Sequence, residues 1–115
     1  MNNKKLGVWG EVQAQKYLKK AGYKILETNY ETKLGEMDIV AKIDDTLVFV
    51  EVKTRETSEY GMPFEAVTAF KQNKYIIMAK QYLLIKNPKY QEIRFDVISI
   101  LGEDLQHIEN AFDCN

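Results

Sequence analysis

Residues 35–40 read GEMDIV and residues 46–54 read TLVFVEVKT, and these two neighbouring stretches decide the fold. The second stretch is dominated by β-branched and aromatic residues, which favour strands. Asp44-Asp45 lies between the stretches and is typical of a turn. The pattern therefore predicts a hairpin made of two strands, Glu36–Ile43 and Thr46–Thr54.

Alternation along the second of these strands divides its side chains between two faces. Three valines lie on one face, whereas Glu51 and Lys53 share the other face with Leu47 and Phe49. Burying the two charged groups in so apolar a strand is costly unless they are paired or bind an ion. They could also form a partly exposed ion pair on a sheet with one open face.

The hairpin turn brings a second acid towards Glu51. If residues 44–45 form a two-residue turn, Asp38 lies directly opposite Glu51 and Glu36 lies opposite Lys53. Like charges placed opposite each other are destabilising, and a cation held between Asp38 and Glu51 would convert the repulsion into coordination. Mg²⁺ fits best, since it binds a couple of carboxylates and keeps water molecules that a phosphate can displace. A three-residue loop would shift this pairing by one residue.

The first segment, Lys4–Ala21, is predicted to be a helix that ends at Gly22. Glu11 is the only charged residue on a stripe of small and apolar side chains, so it is predicted to face inward as a third acid. Residues 1–24 carry a net charge of +5, and residues 25–69 carry −6. A basic helix beside an acidic centre suits a metal-dependent phosphodiesterase, although charges also segregate by chance on solvated faces.

The remaining elements complete an α-β-β-β-α-β-β order within one domain over residues 1–115. The other predicted elements are a strand Tyr23–Tyr30, a helix Ala66–Lys86, a strand Ile93–Leu101 and a short strand Gln106–Asn110. The helix before the fourth strand predicts a crossover, which favours parallel third and fourth strands. We therefore expect an α/β fold with a mixed sheet flanked by helices. Arg94-Phe95-Asp96 predicts a structural ion pair on the fourth strand.

Composition excludes several kinds of site. The chain has one cysteine, Cys114, and one histidine, His107, so neither an internal disulfide framework nor a cysteine-based zinc site is expected. His107 is predicted to lie on an edge strand without a catalytic role. No apolar run approaches the roughly 20 residues of a membrane span, and the polar start lacks a signal peptide's apolar segment. We expect a cytoplasmic protein with no membrane partner.

Other side chains are candidates for contact with nucleic acid. Lys71 could reach a phosphate, or its stem could cover core surface while its amine reaches solvent. Arg55 could contact backbone phosphate or serve only the surface. Trp9, Tyr17 and Tyr23 could stack on unpaired bases, although aromatic residues more often belong to the core.

The two quoted stretches, extended to Arg55, resemble the YraN-like family of uncharacterised bacterial proteins. Further landmarks of that family occur in order along nearly the whole chain: Gly7, Gly10-Glu11, Ala14, Leu18, Gly22-Tyr23, Asn29, Gly61, Pro63, Lys71, Ala79, Tyr82-Leu83, Arg94-Phe95-Asp96 and Ala111-Phe112. The family is similar in turn to Holliday-junction resolvases and other PD-(D/E)xK nucleases with the restriction-endonuclease-like fold.

This resemblance implies that Asp38 and Glu51 are metal ligands, that Lys53 is the catalytic lysine and that Glu11 is an auxiliary acid. Met37 stands where the nuclease motif has its proline. The implied activity is endonucleolytic cleavage of DNA, including branched or partly single-stranded DNA, with Mg²⁺ or Mn²⁺ as cofactor. The similarity to resolvases also suggests a symmetric homodimer. The alternatives are a non-catalytic nucleic-acid-binding module of the same fold and an interaction protein whose acidic cluster is structural.

Overall fold

The computed structural model describes residues 1–113, and Cys114 therefore lies outside the described residues. The elements are α1 (Asn3–Lys20), β1 (Lys24–Thr32), β2 (Gly35–Ile43), β3 (Thr46–Arg55), a short 3-10 helix (Pro63–Ala66), α2 (Ala69–Lys86), β4 (Glu92–Leu101) and β5 (Asp104–Phe112). The predicted α-β-β-β-α-β-β order of helices and strands is confirmed. The last strand is longer than predicted.

The five strands form one mixed sheet in the order β1-β2-β3-β4-β5. Neighbouring strands are antiparallel except β3 and β4, which are parallel over their whole length. The chain reaches β4 through α2, as the predicted crossover requires. No helix within residues 1–113 is long and apolar enough to cross a membrane.

The register of the central hairpin is the one that a two-residue turn predicts. Asp44, the first turn residue, has a positive φ of 51°, and the β2–β3 pairs run from the turn to Ile39 opposite Val50. The next residue along each strand is an acid, Asp38 on β2 and Glu51 on β3. The sequence-derived register therefore brings two carboxyl groups together where the ladder ends.

Each face of the sheet carries its own apolar core. The face towards α1 includes the alternating valines of β3, and its members are Ala14, Leu18, Tyr23, Ile39, Ala41, Val48, Val50, Val52, Ile98 and Ile100. The face towards α2 includes Met37, Val40, Leu47, Phe49, Val67, Tyr75, Met78, Ala79, Tyr82, Phe95, Val97 and Phe112. The predicted division of β3 is confirmed, and β3 is covered by helices on both sides.

Helix α1 approaches β3 closely at Gly10. A Cβ atom at this position would collide with the side chain of Thr54, so the helix and the strand touch where only hydrogen fits. Glu11 follows directly and is half-buried, as the helical stripe predicts. The close packing thus fixes the position of Glu11 relative to the C-terminal part of β3.

The start of α2 differs from the prediction. The helix begins at Ala69 rather than Ala66, because the Thr68 hydroxyl accepts the Lys71 N–H at 3.3 Å and caps it. Residues 63–66 form the separate 3-10 helix, which begins with a proline. Phe70, in the largely apolar sequence of this helix, is 72% exposed. The helix therefore buries one face rather than most of its surface.

Candidate metal centre

Asp38, Glu51 and Lys53 meet at the end of the sheet between the two helices. Two cavities, of about 250 and 220 Å³, lie on opposite sides of this point, and all three residues line both. Glu11 lines the cavity towards α1, whereas Tyr75 lines the cavity towards α2. The three residues predicted from the strand pattern are therefore together and reachable from solvent.

Backbone hydrogen bonds hold Asp38 on both sides. Its Oδ2 accepts the Val52 N–H at 2.8 Å, which ties the carboxyl group to β3. Its own N–H donates to the Tyr75 hydroxyl at 2.9 Å, and that hydroxyl donates to the Val50 carbonyl at 2.7 Å. The position of Asp38 is thus determined by β3 and by α2 together.

The two central acids are electrostatically unfavourable when no cation is present. Burial raises the pKa of the Asp38 carboxyl well above its usual range, and the adjacent Glu51 raises it further through a shared hydrogen bond and its charge. The Val52 N–H and the Lys53 charge oppose this shift. Lys53 Nζ lies 4.0 Å from Glu51 Oε1, so the lysine offsets only part of the negative charge.

A second pair of acids extends the group. One carboxylate oxygen each from Glu11, Glu36 and Asp38 lies within 4.8 Å of the others. The Asn29 side-chain amide donates to both Glu11 and Glu36 and so bridges them. Burial and the nearby Asp38 charge raise the pKa of Glu11, which Asn29 partly counteracts. Glu11, Glu36 and Asp38 thus form one close group of acids, and Glu51 adjoins it through Asp38.

This donor set fits a hard divalent cation. Carboxylate oxygens are the ligands that Mg²⁺ and Mn²⁺ prefer, and the described group has neither histidine nor cysteine, the usual ligands of zinc. The cavities leave room beside the acids for water or a phosphate oxygen. Glu11, Glu36 and Asp38 bring carboxylate oxygens close enough together to hold an ion, and Glu51, which is adjacent to Asp38, is the further ligand expected from the sequence. A cation there would replace a mutual repulsion with coordination.

Lys71 and Arg55, the two candidate phosphate contacts, lie in different surroundings. Lys71 is exposed at the start of α2 and lines the same cavity as Asp38, together with Lys74. Arg55 instead donates to the carbonyls of Tyr60 at 2.6 Å and Gly61 at 3.1 Å. Its guanidinium therefore anchors the loop that follows β3, since Tyr60 and Gly61 both belong to that loop.

Glu36 differs from its predicted place opposite Lys53. The β2–β3 pairs end before Glu36 is reached, and Glu36 instead pairs with Glu31 across β1. Its side chain accepts from Asn29 at 2.9 Å. Glu36 thus belongs to the outer side of the acidic group rather than to the lysine.

Sequence reasoning missed Tyr75, Asn29 and Lys74 as parts of this site. Tyr75 looked like one more apolar residue of α2, although a buried tyrosine hydroxyl normally requires a polar partner. Asn29 has a positive φ of 50°, and asparagine tolerates that conformation better than most residues. The available signal for Asn29 was an isolated asparagine within the predicted strand Tyr23–Tyr30.

The aromatic residues at the α1 side are mainly structural. Tyr23 is buried, and Tyr17 packs its ring edge against His107 at 5.4 Å between centroids. The predicted Arg94–Asp96 ion pair is confirmed, with Nε to Oδ1 and Nη2 to Oδ2 both at 2.9 Å. His107 lies on the edge strand β5 as predicted, and it also contacts Asp96 Oδ2 at 2.7 Å.

A larger cavity lies elsewhere among the described residues. It measures about 750 Å³ between the edge strand β1 and α2, and it is lined by Tyr30, Glu31, Thr32, Lys33, Gln81, Leu84 and Ile85. None of the four grouped acids lines it. The volume is large because the cavity is an open groove beside an edge strand. The clustered acids and Lys53, which are the candidate catalytic groups, line the smaller cavities instead.

Comparison with known proteins gives a consistent family assignment. The sequence profile of the uncharacterised protein family UPF0102 matches residues 10–100, a range that includes all four acids and Lys53. A UPF0102 protein of Syntrophomonas wolfei is 50% identical, with 96% of this chain and 99% of that protein covered. Another from Clostridioides difficile is 46% identical, with 97% and 100% covered. A third, from Dictyoglomus thermophilum, is 44% identical over 97% and 100%.

Proposed function

The chain belongs to the uncharacterised protein family UPF0102, and from the geometry of its acidic centre we propose that it is a divalent-metal-dependent endonuclease that hydrolyses phosphodiester bonds in DNA. Mg²⁺ or Mn²⁺ is the proposed cofactor. Branched or partly single-stranded DNA is the proposed substrate, in keeping with the resolvase-like resemblance of the sequence.

One observation carries the proposal. Asp38 and Glu51 share a site that raises the pKa of Asp38, and Lys53 lies 4.0 Å from Glu51 beside the same two cavities. If the two acids had a purely structural role, the fold would be more stable with a cationic side chain closer to their carboxylates. An acid pair kept open to solvent beside one lysine instead suits the binding of a cation together with an anionic substrate.

Each residue has a defined part in the proposed reaction. A bound divalent cation would polarise the scissile phosphate and lower the pKa of an attacking water molecule. Asp38 and Glu51 hold that ion, and the Val52 N–H keeps the Asp38 carboxyl oriented. Lys53 stabilises the negative charge that develops on the phosphate, and Lys71 at the cavity rim attracts the phosphate backbone.

The nucleic-acid partner is supported by the surface of α1. Its lysines at positions 4, 5, 16, 19 and 20 are all exposed, and within residues 1–113 none lies within ion-pair distance of a carboxylate. Lys16, Lys20 and Trp9 line one groove of about 430 Å³, whereas Lys4, Lys5 and Trp9 line another of about 500 Å³. Unpaired cations beside an aromatic ring fit a phosphate backbone with accessible bases.

The test is cleavage of branched, single-stranded and fully paired DNA of one sequence, with Mg²⁺, with Mn²⁺ and with chelator. We expect metal-dependent products from wild type and none above background from Asp38→Asn. Asp45→Asn is the matched control, because Asp45 is an exposed turn residue of the same hairpin. Equal cleavage by wild type and Asp38→Asn would exclude this site as the source of activity.

A non-catalytic binding module is the second candidate, and the α1 surface favours it independently of the acids. Its signature is salt-dependent DNA binding without cleavage, unchanged by Asp38→Asn. The same DNA substrates separate the two functions, since only the nuclease requires both metal and Asp38.

A further inference from the structure

We propose that Tyr75 is a positioning residue whose hydroxyl holds Asp38 in the geometry that binds the cation. No step of the proposed reaction otherwise uses this residue. The inference rests on the proposed function, because it concerns the same metal centre.

The hydroxyl occupies the place where β2 and β3 separate. The β2–β3 pairs end with Ile39 opposite Val50, and the next N–H of β2, that of Asp38, donates to Tyr75 at 2.9 Å. Tyr75 in turn donates to the Val50 carbonyl at 2.7 Å. One side chain from α2 thus bridges the two strands with a single oxygen atom.

Packing along β2 shows that the strand departs from regular alternation at this point. Met37 and Val40 both belong to the core towards α2, whereas Ile39 and Ala41 belong to the core towards α1. A strict two-residue period would put Met37 with Ile39. The irregularity therefore centres on Asp38, and it lets the Asp38 carboxyl group accept the Val52 N–H at 2.8 Å.

Tyr75 is suited to this task by burial. The residue is 2% exposed, and its ring packs edge-on against Phe112 with centroids 6.4 Å apart. The hydroxyl donates to the Val50 carbonyl and accepts from the Asp38 N–H, so both of its hydrogen bonds hold it between the two strands.

A pair of isosteric variants tests the proposal. Tyr75→Phe keeps the ring and removes the hydroxyl, and we expect Mn²⁺ to bind about 10–100-fold more weakly than to wild type, as for other partners that orient metal ligands. Tyr82→Phe is the matched control. Tyr82 lies on the same helix, is also 2% exposed and donates to Glu27 at 3.2 Å, away from the centre.

Thermal unfolding of both variants separates positioning from stability. We expect the two melting temperatures to fall together while only Tyr75→Phe loses metal affinity. Mn²⁺ affinity that falls equally in both variants would show a structural role and overturn the proposal, as would affinity unchanged by Tyr75→Phe. Absence of Mn²⁺ binding by wild type would instead count against the metal centre itself.

A measurement on wild type keeps the test independent of how well the variant folds. We expect Mg²⁺ to shift the amide resonances of Asp38 and Val52, because their N–H groups are hydrogen-bonded to Tyr75 and to the Asp38 carboxylate. The Val48 amide, further along β3, is the internal reference. Mg²⁺ binding that leaves the Asp38 amide unshifted would contradict the proposed link.

Discussion

Burial and the neighbouring Glu51 raise the pKa of Asp38, so in the absence of a cation the folded protein favours a proton on this carboxyl group. The folded state then binds this proton more tightly than the unfolded chain does. Its stabilising effect is complete below the ordinary pKa of an aspartate and is lost as the pH rises towards the raised value. A cation bound at the proposed centre would have to displace this proton, so its affinity should increase over the same range.

Replacing Asp38 should therefore stabilise the metal-free protein. We expect Asp38→Asn to increase the free energy of unfolding by about 1–2 kcal/mol at pH 8, since the amide carries no charge and can still accept the Val52 N–H. The gain should shrink as the pH falls to 4. Denaturant unfolding in the presence of chelator measures it. Destabilisation at pH 8 would identify the acid as structural.

Lys53 should contribute to catalysis without contributing to cation binding. We expect Lys53→Met to lower the cleavage rate about 100–1,000-fold, the usual cost of losing one group that stabilises developing charge, while Mn²⁺ affinity is retained or increases. Lys42→Met is the control, because Lys42 is a partly buried lysine on the adjacent strand β2. Single-turnover cleavage with saturating metal measures the effect. Loss of metal binding in Lys53→Met would assign the lysine a structural role.

At the scale of single elements, α1 presents its acid only because it packs tightly on β3. Gly10→Ala would force the new methyl group against Thr54, and we expect a loss of about 1–3 kcal/mol of stability. Gly7→Ala is the matched control on the same helix. A Cβ at Gly7 meets no atom within 4 Å, so alanine should stabilise by about 0.5–1 kcal/mol. Thermal unfolding compares the two, and equal melting temperatures would contradict the close approach.

The lysine-rich face of the same helix should govern the salt dependence of DNA binding. We expect Lys16→Gln with Lys20→Gln to reduce the slope of log affinity against log salt by about one to two, since in the proposed complex each lysine would contact one phosphate. Lys80→Gln with Lys89→Gln removes the same charge from two other exposed positions. Fluorescence anisotropy at several salt concentrations provides the slopes. An identical slope change in both double variants would place the DNA elsewhere.

The strands and their central register were predictable because local rules determine them. Alternation along residues 46–54 and a two-residue turn are sufficient to place Asp38 beside Glu51, and the helical stripe is sufficient to turn Glu11 inward. The start of α2 was predicted three residues early, because the threonine that caps it lies inside the apolar pattern rather than before it.

Contacts between residues that are far apart in the sequence could not be predicted from strand alternation or from the helical stripe. Tyr75 reaches Asp38 across 37 residues of sequence, and Asn29 reaches Glu11 across 18. Neither contact follows from a local repeat, since each depends on how a helix docks on the sheet. The engagement of Arg55 with Tyr60 and Gly61 likewise depends on the path of a loop.

At the scale of the whole molecule, the fold brings acids from α1, β2 and β3 to one end of a single sheet and places Lys53, Lys71 and Lys74 beside them. The centre joins both helices to the central hairpin, so a cation bound there would contact side chains from separate parts of the chain. Binding to the folded state alone should consequently raise the melting temperature, with stabilisation that grows as the logarithm of the ratio of cation concentration to dissociation constant.

The most direct test of the metal centre is calorimetric titration of Mn²⁺ and Mg²⁺ into wild type and into a folded Asp38→Asn, Glu51→Gln double variant, without and with a DNA oligonucleotide that supplies phosphate ligands. The proposed function predicts saturable binding to wild type, with proton release, that is lost in the double variant. Absence of binding to wild type under both conditions, or equal binding to the double variant, would contradict it.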